Sequence, residues 1–358
     1  MQNHATELAV TLVIGGTNDS PTRDVASALV TPTSVPTRRL SDVTSPSFPH
    51  PSVVETDEFA LDLAEHLSAL AADGQRGAAV VDLHPSVDLT ETALVLSAVF
   101  SDDATDGIPV CLGEIIVVVS AVSVRAELFD GDSGEVDFVT PERLCSRIEF
   151  ATVVVVTDCH RLSRASLREV LGLIQKLAPR APRLLSSGRI DPEALARHAQ
   201  TSRAGVLGGS AGWMRELSGR GELPTSISGI STFVFDDPRP FHPARLARVV
   251  ENSFEPEIVG RILRSRGFIR LASRPAVVGS FASAGRALTI EATSMPSWSV
   301  DSPVGQQVVF FGKDLDRKRL ADVLNSALLT AHELGTGPLE WAGYSDPFPA
   351  WHDAETGH

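Results

Sequence analysis

The sequence predicts an α/β protein: a mostly parallel sheet with helices on both faces, followed by a C-terminal α+β domain. Three observations carry this. Short runs rich in Val, Ile, Leu and Ala recur at 8–14, 77–83, 114–122 and 151–158, and read as strands buried on both faces. Helical patterns lie between them, as crossovers joining parallel strands require. Beyond residue 229 strand-like segments follow one another with fewer helices, which suits antiparallel pairing.

The elements can be taken in order. LAVTLVI makes a strand over 8–14, and a Gly pair and polar turn lead into an amphipathic helix over about 22–30. The Pro/Ser/Thr-rich stretch 31–55 reads as loop or loosely paired edge structure. Thr56 or Asp57 caps a helix over 58–72 that ends at Gly74. GAAVVDL (77–83) is a strand, LTETALVLSAVF (89–100) a helix, and EIIVVVSAV (114–122) a strand of β-branched residues. A short helix over 141–148, a strand over 151–158, a helix from Arg164 to Leu177 stopped by Pro179, a short strand over 182–187 and a helix over 191–200 complete a first domain, 1–203. The Gly-rich segment 204–228 reads as a linker. In the second domain, 229–358, strands are expected over 229–235, 261–273, 276–285, 286–292 and 306–312, and helices over 242–252 and 315–329. An aromatic- and Pro-rich tail from Leu339 packs back as an irregular segment.

Composition narrows the function. With 358 residues and 43% apolar content the chain can bury a real core. No apolar run approaches the roughly 18 residues that span a bilayer, and MQNHATELAV has no leader pattern, so the expected location is the cytoplasm. A formal charge of −14 argues against a direct grip on nucleic acid and suits a basic protein partner. Cys111, Cys145 and Cys159 form no CxxC pair and read as small buried hydrophobes.

Strand, glycine turn and helix is the layout of a phosphate-binding loop. The window Gly15 to Thr22 reads GGTNDSPT, where a working loop reads GxxxxGK[ST]. Gly15 and Thr22 fit, but Ser20 stands for the second glycine and Pro21 for the lysine. Gly16 is a second small residue beside the strand tip, and Asp19 brings negative charge where phosphates would come. Proline supplies neither charge nor N–H, and a carboxylate near phosphate is repulsive. A plain strand–turn–helix start with Asp19 or Ser20 as N-cap explains the same residues.

Several segments, in order, resemble the CobW-type metallochaperone GTPases: TFVFDDPRPFHPARL (232–246), RSRGF (264–268), VVFFGKDLD (308–316), LNSALLT (324–330) and DPFPAWHD (346–353). The resemblance implies a P-loop GTPase domain, a C-terminal α+β domain, GTP hydrolysis and metal transfer. The family's motifs are degenerate here. The region of its GCxCC metal motif looks like FPHPSVVETDEF (48–59), without cysteine. The switch motif falls on Asp82, Leu83, His84 and Pro85, and the guanine-recognition NKxD near Thr157, Asp158, Cys159 and His160. VIGGTNDSPTRDVASAL (13–29), LAPRA (177–181), RPFHPARL (239–246) and YSDPFPAWHD (344–353) resemble a mycobacterial branch that recruits a ribosome hibernation factor under zinc starvation. That branch keeps a cysteine pair in the metal-motif region, which this chain lacks.

Other residues carry two readings each. Asp236, Asp237, Arg239 and His242 could hold a metal or anion, or fasten a strand-to-helix turn with Pro243 at helix position N1. Arg264, Arg266 and Arg270 share strand parity, so they form a patch for an acidic partner or a solvated face paired with carboxylates; Arg261 adds charge nearby. Asp82, His84 and Asp88 lie where open α/β sheets place ligands, although Asp88 is equally a helix cap. Asp158 and His160 could serve base recognition or metal, or be structural. Trp341, Tyr344, Phe348 and Trp351 form a docking surface or cover the C-terminal sheet.

The expected function is a non-catalytic adaptor that recruits a hibernation factor to the small ribosomal subunit when zinc is scarce. It needs no cofactor; the alternative is an atypical GTP-dependent zinc chaperone that binds GTP–Mg²⁺ and Zn²⁺ weakly. A homo-oligomer or a pairing with an intact paralogue is a further expectation; membrane and direct DNA binding are not expected.

Overall fold

The computed structural model describes residues 7–15, 20–30, 37–40, 56–101, 109–130, 139–186, 211–221 and 223–351. The described residues fall into two compact units. The first comprises 1–124, 143–167 and 177–211; the second gathers 125–142, 168–176 and 212–358.

The first unit is built on a six-stranded parallel sheet, ordered β2-β3-β1-β4-β5-β6. Its strands are β1 (Leu8–Ile14), β2 (Thr37–Leu40), β3 (Gly77–Asp82), β4 (Val110–Ser120), β5 (Val153–Thr157) and β6 (Arg183–Leu185). Helices α1 (Ser20–Val30), α2 (Thr56–Ala72) and α3 (Leu89–Ser101) connect them. The β5 strand is VVVVT and buried throughout, the signature of a strand covered on both faces. Val13, Val25, Ala26, Val80, Ile116, Val118, Val153 and Val155 form one core of this unit.

Because β1 has β3 on one side and β4 on the other, the chain reverses its winding there. The carboxyl tips of these strands therefore bound the crevice that such sheets use for ligands. The Pro/Ser/Thr-rich stretch contributes the parallel edge strand β2, paired from Thr37 to Leu40 with Ala78–Val81.

The strand expected to run to Val122 stops at Ser120. The chain turns there into α4 (Ala121–Val124) and a π-helical turn, Arg125–Asp130. The apolar run continues unbroken across the change, so periodicity gives no warning. The helix expected over 141–148 is α5 (Val139–Phe150), and α6 spans Arg164–Leu177. The helix expected over 191–200 lies outside the described residues. Within the stretch read as a linker, Gly212–Leu217 are helical, with Gly212 and Arg215 buried.

The second unit holds a six-stranded antiparallel sheet, ordered β11-β10-β9-β12-β8-β7. Its strands are β7 (Ser226–Ile227), β8 (Ile230–Asp237), β9 (Arg261–Ile269), β10 (Val277–Ala284), β11 (Ala287–Pro296) and β12 (Gln306–Lys313). Phe235, Phe241, Phe281, Phe310, Leu320 and Leu324 are part of its core, where the helices Pro243–Asn252 and Arg317–Ala327 pack. The latter helix was expected from Leu315 to Leu329. It starts two residues later because Asp316 is its N-cap, accepting from the Arg319 amide at 2.9 Å.

Candidate functional site: the crevice at the strand tips

Gly15 follows β1 and is buried. Next to β1, the segment after β3 is tied in by the Leu83 amide, which donates to the Val13 carbonyl at 2.8 Å. Across these two tips reaches Arg147, from α5. Its Nη1 donates to the Gly15 carbonyl at 2.8 Å and its Nη2 to the Pro85 carbonyl. Arg147 is buried, and its Nε finds no acceptor. Burial pushes the guanidinium down to about 10, as does neighbouring Arg143, while Asp88 favours the charge. Arg147 therefore stays cationic at neutral pH.

A guanidinium joining two backbone carbonyls is a charge-assisted clamp. It fixes the segment after β3 against the segment after β1. Sequence reasoning missed Arg147. On α5, Pro141, Cys145 and Ile148 fill the buried face at helical spacing, and an arginine beside Ile148 reads as surface charge.

The other crevice residues are now placed. Thr22 sits in the first turn of α1, only 6% exposed, and its hydroxyl has no hydrogen-bond partner. Ser20 opens the same helix. Gly16 and Asp19 lie outside the described residues. Asp82 is half-buried at the end of β3. His84 is exposed, and its Nδ1 lies 2.8 Å from the Ser86 hydroxyl. Asp88 caps α3, accepting from the Glu91 amide at 3.0 Å. Asp158 accepts from the Ser120 hydroxyl at 2.8 Å, which joins the tips of β4 and β5, and its backbone is left-handed (φ 54°). His160 is exposed in the short helical turn that follows. Burial raises the Cys159 thiol, so it is no ready thiolate ligand. Among the described residues, no group of three or more His, Cys, Asp or Glu is arranged to hold a metal ion.

This residue set fits a guanine nucleotide poorly. Pro21 stands where the phosphate lysine belongs, and Arg147, a cation at the strand tips, is engaged by two carbonyls. Among the described residues, the Thr22 hydroxyl, buried and without a hydrogen-bond partner, suits a magnesium–phosphate ligand.

The second unit's candidates have internal partners. Asp237 accepts from the Arg239 amide at 2.9 Å and from its Nε and Nη2 at 2.9 and 2.8 Å, while Asp236 is exposed. His242 is the N-cap of the helix begun by Pro243, and its ring stacks on Tyr344 at 4.7 Å. The expected arginine patch is not a surface feature. Arg264 is fully buried, and both Arg264 and Arg266 bind Glu142, the latter at 2.5 Å. Arg270 lies past the end of β9 and donates to the carbonyls of Ser297 and Pro303. Arg264 and Arg266 lie on one face and pair with a carboxylate, as one of the two readings had it, but Arg264 is buried rather than solvated. Arg261 donates to the Phe129 carbonyl.

In the tail, Trp351 lies over Arg274 at 4.4 Å, and its Nε1 donates to the Ile290 carbonyl at 3.2 Å. Phe348 packs with it against the core of this unit, and Trp341 Nε1 donates to the Glu333 carbonyl at 2.6 Å.

An open parallel α/β unit is thus followed by an antiparallel unit, and residues 230–328 match the cobalamin synthesis protein CobW C-terminal domain. The chain is similar to the zinc-regulated GTPase metalloprotein activator 1 of Dictyostelium discoideum, at 28% identity over 228 residues. That alignment covers 57% of this chain and 47% of the relative, so the chain spans about half the length of the curated protein it matches. Among solved structures, the Zn(II)-bound YjiA GTPase of E. coli aligns at 15% identity with a TM-score of 0.40, over 90% of this chain and 99% of that one. A Zn(II)-bound triple mutant of YjiA aligns at 16% identity with a TM-score of 0.41, over the same shares. No helix among the described residues is long and apolar enough to cross a membrane.

Proposed function

We propose that this chain is a CobW-type protein whose first unit is a nucleotide-independent scaffold, and that the whole acts as an adaptor. One observation carries the reading: Arg147 clamps the segments after β1 and β3 from within. In a switching GTPase the segment after β3 responds to the terminal phosphate. Here a resident side chain holds it in one arrangement, so there is no state for hydrolysis to release. The missing loop lysine, metal-motif cysteines and NKxD residues agree with that. The resemblance to the hibernation-recruiting branch supplies the partner: a basic hibernation factor delivered to ribosomes when zinc is scarce. A protein needed under zinc depletion gains by needing no zinc itself.

The test is a pull-down with the full chain from zinc-limited cells. The small ribosomal subunit and the hibernation factor should both elute. Recovery of neither would overturn the adaptor role.

The second reading is a GTP-dependent zinc chaperone, favoured by the name of the Dictyostelium relative and by the unpartnered Thr22 hydroxyl. Micromolar binding of both GTP–Mg²⁺ and Zn²⁺ by calorimetry would select it.

A further inference from the structure

The connection between β11 and β12, residues 297–305, exposes three large apolar side chains between positions 298 and 304. Trp298 is 76% exposed, Val300 96% and Val304 80%. Single exposed hydrophobes are ordinary; three on one loop, a tryptophan among them, mark an interaction surface.

The loop is also held rigid. Arg270 bridges its two ends, donating to the Ser297 carbonyl at 2.9 Å and to the Pro303 carbonyl at 2.6 Å. The Ser297 amide donates to the Ala276 carbonyl at 2.8 Å, and its hydroxyl to the Pro275 carbonyl at 2.5 Å. Ser302 is buried; its hydroxyl donates to the Pro296 carbonyl at 2.7 Å and its amide to the Ser299 carbonyl at 3.1 Å. Gln306, fully buried, accepts from the Arg270 amide at 3.0 Å and donates to the Arg239 carbonyl at 2.8 Å. Inward-facing groups are bonded, and the apolar ones are turned to water. Such a loop loses little conformational freedom on binding, and Trp is the residue type most enriched among binding hot spots.

Charge selects the occupant. No Lys, Arg or His occurs between residues 287 and 312, and Arg270, which reaches the loop from outside that range, has its guanidinium engaged by the Ser297 and Pro303 carbonyls. Asp301 on the loop is exposed, and so is Asp236, which lies opposite Gln307 at its base. A second copy of a chain of charge −14, or an anionic lipid surface, would be repelled. We infer that the β11–β12 loop is a preformed docking knob, with Trp298 and its flanking valines entering an apolar pocket on a protein whose rim is basic. This inference stands apart from the adaptor reading, since it requires neither ribosome nor zinc.

The probe is the full chain carrying photoreactive p-benzoylphenylalanine at 298, irradiated in the host cell, with the same group at exposed Leu339 as control. Adducts specific to 298 should contain a positively charged protein. That protein, purified, should bind the full chain in a salt-sensitive manner. Trp298→Ala should weaken binding at least about tenfold and Val300→Ser a few-fold, while Trp298→Phe retains most of it. Arg270→Lys should fall between, because a lysine cannot bridge both loop ends. Adducts only to lipid, nucleic acid or a second copy, adducts shared with position 339, no adduct above background, or binding unchanged by Trp298→Ala would each overturn it.

Discussion

Arg147 donates to the carbonyl of Gly15 at 2.8 Å, from a helix that lies 132 residues further along the chain. With its second bond to Pro85, it joins the tips of neighbouring strands β1 and β3 at the point where a nucleotide-driven switch would have to open.

Removing that guanidinium should loosen the crevice locally. Arg147→Ala strands two carbonyls that lose their charged donor, at a cost of about 2–4 kcal/mol. Hydrogen exchange followed by mass spectrometry should show faster exchange at the Leu83 amide and its neighbours. Arg147→Lys, which can reach one carbonyl, should give an intermediate rate.

Glu142 sits between Arg264 and Arg266. Burial alone would push its carboxyl up, but the two guanidinium groups outweigh that and hold it below the usual carboxylate range. A carboxyl depressed in the folded protein contributes stability at pH values above its unfolded value, and the contribution is lost as pH falls through the folded value. Glu142→Gln should therefore destabilise the second unit by about 3–5 kcal/mol at pH 7, because buried Arg264 loses the carboxylate that it pairs with. The difference between variant and wild type should shrink in acid. Denaturant unfolding at pH 7 and pH 3 checks it.

Glu114 has the opposite sign. Buried on β4, it shares a hydrogen bond with Thr152 while its other oxygen has no partner. Burial pushes it up to about 8, more than the Thr152 bond lowers it. The folded protein thus holds a proton that the unfolded chain releases near pH 4.5. This contribution is complete below pH 4.5 and is lost as pH rises to about 8. Glu114→Gln should gain about 1–3 kcal/mol over wild type at pH 9 and little at pH 4.5. Melting temperatures across that range will show it.

Trp351→Ala removes a ring that lies over Arg274 and packs on the core of the second unit. A loss of about 2–4 kcal/mol is expected in equilibrium unfolding. Trp351→Phe, which keeps an aromatic ring there but loses the bond to the Ile290 carbonyl and part of the indole's contact area, should cost less, about 1–2 kcal/mol.

Much of the fold was legible in the sequence because the β-branched runs are long and the helices between them strongly patterned. The strands at 8–14, 77–82 and 153–157 announce themselves in this way. What stayed hidden was whatever depends on distant partners. Nothing local marks Ser120 as the end of β4, since the apolar run passes through it. Arg264 and Arg266 carry the same parity signal whether they face water or Glu142, which is 122 residues from Arg264. Arg147 looks like any surface arginine until Gly15 and Pro85 are placed beside it. Asp88 was legible as a cap because capping is a local pattern.

Titration of the full chain with a fluorescent GTP analogue and Mg²⁺, followed by anisotropy, tests the central claim most directly. A crevice clamped by Arg147 and lacking the loop lysine predicts no saturable binding up to the millimolar range. Saturable micromolar binding, displaced by unlabelled GTP, would contradict it.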